Sequence, residues 1–140
     1  MVAEKIAGLD PRPVDDTLVP KVTFCEPEIA SVGLSEAQAI EIHGAEKVTT
    51  AEFNVAGNAK SQILGTQGFV KLVSLKDGPV VGFHAIGTRM GEQIGEGQLI
   101  VSWEADAHDV ASLVHAHPTQ NETIGEAAMA LAGKPLHNHG

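Results

Sequence analysis

Apolar residues alternate with other residues along Gly68-Phe69-Val70-Lys71-Leu72-Val73-Ser74-Leu75 and again along Pro79 to Gly87, the two-residue period of a strand. Lys76-Asp77-Gly78 lies between these runs and predicts a tight hairpin turn. Earlier in the chain, Val22-Thr23-Phe24-Cys25 reads as a short strand broken at Glu26-Pro27. Ile29-Ala30-Ser31-Val32-Gly33 reads as a second strand and Val48 to Phe53 as a third. Ser35 and Gln38 form a capping box for a helix that Gly44 ends. Residues 54–67 read as a loop with room for a short helix.

After the hairpin the period lengthens to 3.6. Met90, Ile94, Leu99, Ile100 and Trp103 trace one side of a helix over about 89–104. A shorter helix over about 107–114 takes Asp106 as its N-cap. Thr119 is expected to cap the last helix, which Gly133-Lys134-Pro135 stops. Strands around one helix, followed by three helices, predict an α+β fold with an antiparallel sheet and flanking helices. Val2 to Ala7 read as a helix end stopped by Gly8, and the Pro-rich, acidic residues 10–16 as a linker. This divides the chain into residues 1–17, the end of a preceding helix with its linker, and residues 18–140, a domain.

At 140 residues, 43% hydrophobic and 19% charged, the chain is expected to fold as a single core without staples. A net charge of −9, one Trp and no Tyr oppose nucleic-acid binding, which needs basic surface and stacking rings. No apolar run reaches the length of a membrane helix, and the start lacks a signal-peptide pattern, so a cytoplasmic setting is expected. Cys25 is the only cysteine; it excludes an internal disulfide and reads as a small buried hydrophobe in a strand.

Candidate chemistry lies among seven histidines. His137 and His139 read as a frayed terminus, His43 as a charge complement at a helix end, and His84 as a strand residue in packing or at an edge. His115-Ala116-His117-Pro118-Thr119-Gln120-Asn121-Glu122 places two histidines, a proline and a carboxylate at the junction of two helices. A carboxylate at Glu122 can orient the His117 ring as a general acid/base. The same spacing also suits a capping box, with Glu122 reaching only the Thr119 N–H. The Gly91 to Gly97 stretch has the wrong spacing for a dinucleotide fingerprint, and no Walker sequence is present.

The His115–Glu122 stretch resembles the C-terminal His-Pro-Thr-x-x-Glu motif of the flavin-dependent disulfide reductases, most closely the dihydrolipoamide dehydrogenase branch of the pyridine nucleotide-disulfide oxidoreductases. Val19 to Leu34, Phe53-Asn54 through Lys60-Ser61, Gly68 to Leu72 and Gly82 to Gly87 extend the resemblance over about residues 18–136. It implies a dimerisation (interface) domain that forms a homodimer, with residues 1–9 ending a preceding flavin domain. His117 would be the acid/base for a dihydrolipoyl thiol and Glu122 its orienting carboxylate, both serving the disulfide and FAD of the partner subunit. The backbone of His117 and Pro118, joined by a cis bond, would touch that FAD.

The full-length enzyme would use FAD and NAD and act on lipoyl groups of 2-oxoacid dehydrogenase complexes. This stretch lacks the paired cysteines and Gly-rich sites, so it is expected to bind neither cofactor and to be inactive alone. Two other readings stay open: a free-standing dimerisation or docking module without a catalytic role, and a histidine-based metal binder using His115, His117 and the C-terminal tail.

Overall fold

The computed structural model describes residues 1–137. Its strands are β1 (Lys21–Thr23), β2 (Glu28–Gly33), β3 (Val48–Asn54), β4 (Phe69–Leu75) and β5 (Val80–Gly87). They form one antiparallel sheet in the order β1-β2-β5-β4-β3. The helices are α1 (Val2–Ile6), α2 (Glu36–His43), α3 (Ala59–Leu64), α4 (Met90–Ser102), α5 (Ala107–Ala111) and α6 (Glu122–Leu131). The fold is the expected α+β arrangement. Among the described residues, no helix is long and apolar enough to cross a membrane.

Strand register explains which residues form the core. Val32 on β2 pairs with Phe83 on β5, which pairs with Leu72 on β4, which pairs with Ala51 on β3. One row over, Ala30, Ala85, Val70 and Phe53 align in the same way. Side chains alternate faces along a strand, so both rows project from one side of the sheet. Helix α4 packs there over β2 and β5, and α6 over β3 and β4. Together they bury Met90, Ile94, Ile100, Ile124 and Ala128 against the strands. On the other side, His84 is half-buried on the central strand β5, its Nε2 3.0 Å from the Leu34 carbonyl.

Local signals hold where expected. Ser35 and Gln38 close a reciprocal capping box, and Asp106 accepts from the His108 and Asp109 N–H groups at the start of α5. Asp77 turns the hairpin with φ +57°.

Three expectations are corrected. Leu99 and Trp103 are 49% and 76% exposed, because the buried side of α4 runs through Gln93, Ile94, Gly97, Ile100 and Val101. Cys25 lies just beyond β1 and is exposed, since that strand ends at Thr23 where the chain turns toward Pro27. Thr119 is not the cap of α6: its hydroxyl donates to the Ala116 carbonyl at 2.6 Å, and the helix begins at Glu122.

Candidate functional site

The segment between α5 and α6 leaves regular structure after Ser112 and carries His115, His117 and Pro118 before α6 starts. The His117–Pro118 peptide bond is cis. Glu122 occupies the first turn of α6 and uses both of its oxygens on this segment. Oε1 lies 2.9 Å from His117 Nδ1, and Oε2 accepts the Thr119 N–H at 2.8 Å. Both contacts that the spacing allowed are made, one on each oxygen, although Thr119 closes no capping box.

This arrangement fixes the chemistry available to the ring. A carboxylate only accepts hydrogen bonds, so His117 Nδ1 must carry the hydrogen that faces it. In the neutral ring Nε2 is then the bare nitrogen, ready to take a proton. The His117 side chain is 70% exposed and Glu122 25%, so the acceptor nitrogen is open while the orienting group is recessed. Burial pushes the Glu122 carboxyl up, but the Thr119 N–H and the His117 ring outweigh it and hold the group below its ordinary value. Glu122 therefore stays ionised at neutral pH.

Beside this pair is a second one that the sequence does not announce. His115 Nε2 lies 2.7 Å from Glu96 Oε1, and Asn121 Nδ2 donates to Glu96 Oε2 at 2.6 Å. Nineteen residues separate Glu96 from His115, and no local pattern marks the acid among the glycines of α4. At the C-terminal end, His137 contacts Glu126 through both ring and backbone, so it is anchored where fraying was expected. His139 lies outside the described residues. Among the described residues, no group of three or more His, Cys, Asp or Glu side chains is placed to hold a metal ion.

The Glu96–His115 pair is expected to make the stability of the fold depend on pH. The Glu96 hydrogen bond raises the His115 value against the opposing effect of burial. Burial raises the Glu96 value, but the bonds from His115 and Asn121 bring it below ordinary. A raised histidine stabilises fully below 6.5 and loses its contribution as pH rises through its folded value. A lowered carboxyl stabilises fully above 4.5 and loses its contribution as pH falls through its folded value. Between 4.5 and 6.5 both contributions are present. We expect the difference in unfolding midpoint between the chain and His115→Gln to peak in that window and shrink on both sides. A pH-independent difference would leave the pair without a charge contribution.

Fold and site together define an α+β domain that presents an exposed imidazole oriented by a recessed carboxylate. Residues 19–128 match the family model for the pyridine nucleotide-disulphide oxidoreductase dimerisation domain, and the chain belongs to that family. Two proteins of Bacillus subtilis named dihydrolipoyl dehydrogenase are 40% and 41% identical to it over 139 residues. A dihydrolipoyl dehydrogenase of Mycobacterium leprae is 38% identical over 136 residues. These alignments cover 95–98% of this chain but 29% of each relative, so the chain spans under a third of their length.

Among solved structures, LpdA of Mycobacterium tuberculosis superposes with a TM-score of 0.82 at 23% identity, covering 93% of this chain and 28% of that one. The HOCl-induced flavoprotein disulfide reductase RclA of Escherichia coli gives 0.80 at 22% identity, covering 91% and 29%. At these identities the likeness is one of fold.

Proposed function

We propose that this chain is the dimerisation domain of an FAD- and NAD-dependent dihydrolipoamide dehydrogenase, and that His117 is the acid/base it contributes to the partner subunit. The observation that carries this reading is the His117–Glu122 pair itself: a bare Nε2 on an exposed ring, with Nδ1 held at 2.9 Å by an ionised carboxylate. The relatives' names supply the substrate class, a dihydrolipoyl group.

In the proposed reaction, His117 Nε2 takes the proton from a dihydrolipoyl S–H. A free thiol with pKa ≈ 8.5 is mostly protonated near neutrality and is a poor nucleophile until it loses that proton. The resulting thiolate attacks one sulfur of a redox disulfide held by the partner subunit, forming a mixed disulfide and releasing the other sulfur as a thiolate. Glu122 stabilises the imidazolium formed in the first step and keeps the ring from turning.

This chain's residues suit an edge contact to FAD and not a cradle. Every strand pair is antiparallel, so among the described residues there is no parallel β-α-β unit of the kind that cradles a dinucleotide. The exposed backbone of His117 and Pro118 is what the domain would offer to FAD held elsewhere. A bound flavin would supply electron-accepting chemistry. Helix α1 buries none of its residues, which supports assigning residues 1–17 to a preceding flavin domain and its linker. The enzyme would work as a cytoplasmic homodimer on lipoyl groups of 2-oxoacid dehydrogenase complexes.

Hybrid dimers of an intact reductase ending in this domain test the reading. One subunit carries His117→Gln, and the other lacks its redox cysteines. If His117 serves the partner, one complete site remains and about half of the parent activity is expected. An inactive hybrid would mean that His117 does not act across the interface.

A further inference from the structure

We propose that Glu96 is a positioning residue for the His117–Glu122 pair, a single carboxylate that staples both ends of the loop carrying His117. The inference rests on the reading of that pair given above. Its basis is how the two Glu96 oxygens are used. Oε1 binds His115, two residues before His117, and Oε2 binds Asn121, the residue before Glu122. Residues on either side of His117, the second of them next to Glu122, are therefore joined through one side chain on α4. That helix is packed on β2 and β5, so the staple is fixed to the sheet and does not travel with the loop.

Two further contacts show that the loop is built to be held. The His115 ring lies against the α6 backbone so closely that a Cβ at Gly125 would sit 2.9 Å from its Nδ1. The Glu96 bond keeps the ring in that slot, with its side chain only 12% exposed. In mid-loop, the Thr119 carbonyl accepts from buried Asn58 at 3.0 Å, while the Asn58 oxygen caps α3. His117 has no comparable enclosure. Its ring is largely in solvent and is steered by Glu122. The 2.9 Å contact therefore depends on the backbone positions at 117 and 122, which Glu96 sets from both sides. A misplacement of about 1 Å at a reacting group can cost a hundredfold in rate, so a rigid external anchor has a chemical use here.

The test reads the His117 ring directly, by imidazole nitrogen NMR of the chain near neutral pH. The parent is expected to show the Nδ1–H tautomer. In Glu96→Ala, the shift difference between the two His117 nitrogens should fall by about half as the tautomers mix, with sheet amide signals unchanged. Asn121→Ala, which cuts the staple at its other end, should move His117 in the same direction. Glu96→Gln, which keeps one oxygen acceptor, should recover part of the difference.

If Glu96→Ala does not fold, Asn121→Ala and Glu96→Gln decide the matter. His117 signals identical to the parent in the folded variants would overturn the proposal and leave Glu96 as a partner of His115 alone. Glu122→Gln, measured alongside, separates the two ideas. If it too leaves His117 unchanged, the pair reading fails; if it alone perturbs His117, the staple fails.

Discussion

Glu122→Gln, placed in an intact reductase that ends in this domain, is expected on the proposed function to lower turnover of dihydrolipoamide by about 10²–10⁴-fold, the range for losing a positioned general base. The reason is a shortage of acceptors. Glu122 meets two hydrogen donors, the Thr119 N–H at 2.8 Å and the His117 Nδ1–H at 2.9 Å, with one oxygen for each. A carboxamide has one oxygen and one NH₂. The backbone N–H cannot change character, so the Gln oxygen must turn toward Thr119 and present its NH₂ to His117 Nδ1. The ring then answers by moving its hydrogen to Nε2, which removes the base from the exposed nitrogen. An Asp-to-Asn change in a serine-protease triad loses about 10⁴ for the same tautomer reason.

His117→Gln should fall in the same range, and combining the two changes should cost little more than either alone, as expected of groups that act as a unit. Steady-state kcat and KM on the intact dimer measure this. Turnover in Glu122→Gln close to the parent's would show Glu122 to be only a backbone cap. The fold should be insensitive to the change, since the Thr119 bond survives.

What could be read from sequence divides by the range of the interaction responsible. The Asp77-Gly78 turn and the Ser35–Gln38 box are settled by residues within four positions of one another, and both stand as expected. The spacing of His117 and Glu122 is equally local, and their contact is present. Helix faces are another matter. The apolar stripe of α4 admitted Leu99 and Trp103, yet the sheet selects the side that contains Gly97, because that side lets the helix approach most closely. Thr119 has the right residue type for a cap, but the Ala116 carbonyl takes its hydroxyl and Glu122 takes its N–H. Glu96 could not have been found at all, since its partners lie 19 and 25 residues away, beyond α5.

That close approach leads to the largest expected change in stability. Phe83 is fully buried on β5, between Val32 on β2 and Leu72 on β4 in register, and its ring lies beneath Gly97 of α4. Phe83→Ala is expected to cost about 3–5 kcal/mol, because the cavity it leaves lies under a helix that the sheet contacts on two strands. The complementary change is Gly97→Ala. Its Cβ would sit 2.5, 2.6 and 2.9 Å from Phe83 ring atoms, so either the ring or the helix must move. Overpacking of this kind costs about 1–3 kcal/mol, against a gain of about 1 kcal/mol from replacing a helical glycine.

Phe83→Leu should relieve the crowding, so the double variant Phe83→Leu/Gly97→Ala is expected to lose less than the sum of the two singles. Urea unfolding of the four proteins measures the coupling. Strict additivity would mean that α4 absorbs the methyl by shifting as a body. In that case the displacement would be felt next door: Glu96 precedes Gly97 on the same turn and would be carried away from His115 and Asn121. The stability variant would then also disturb the loop that bears His117.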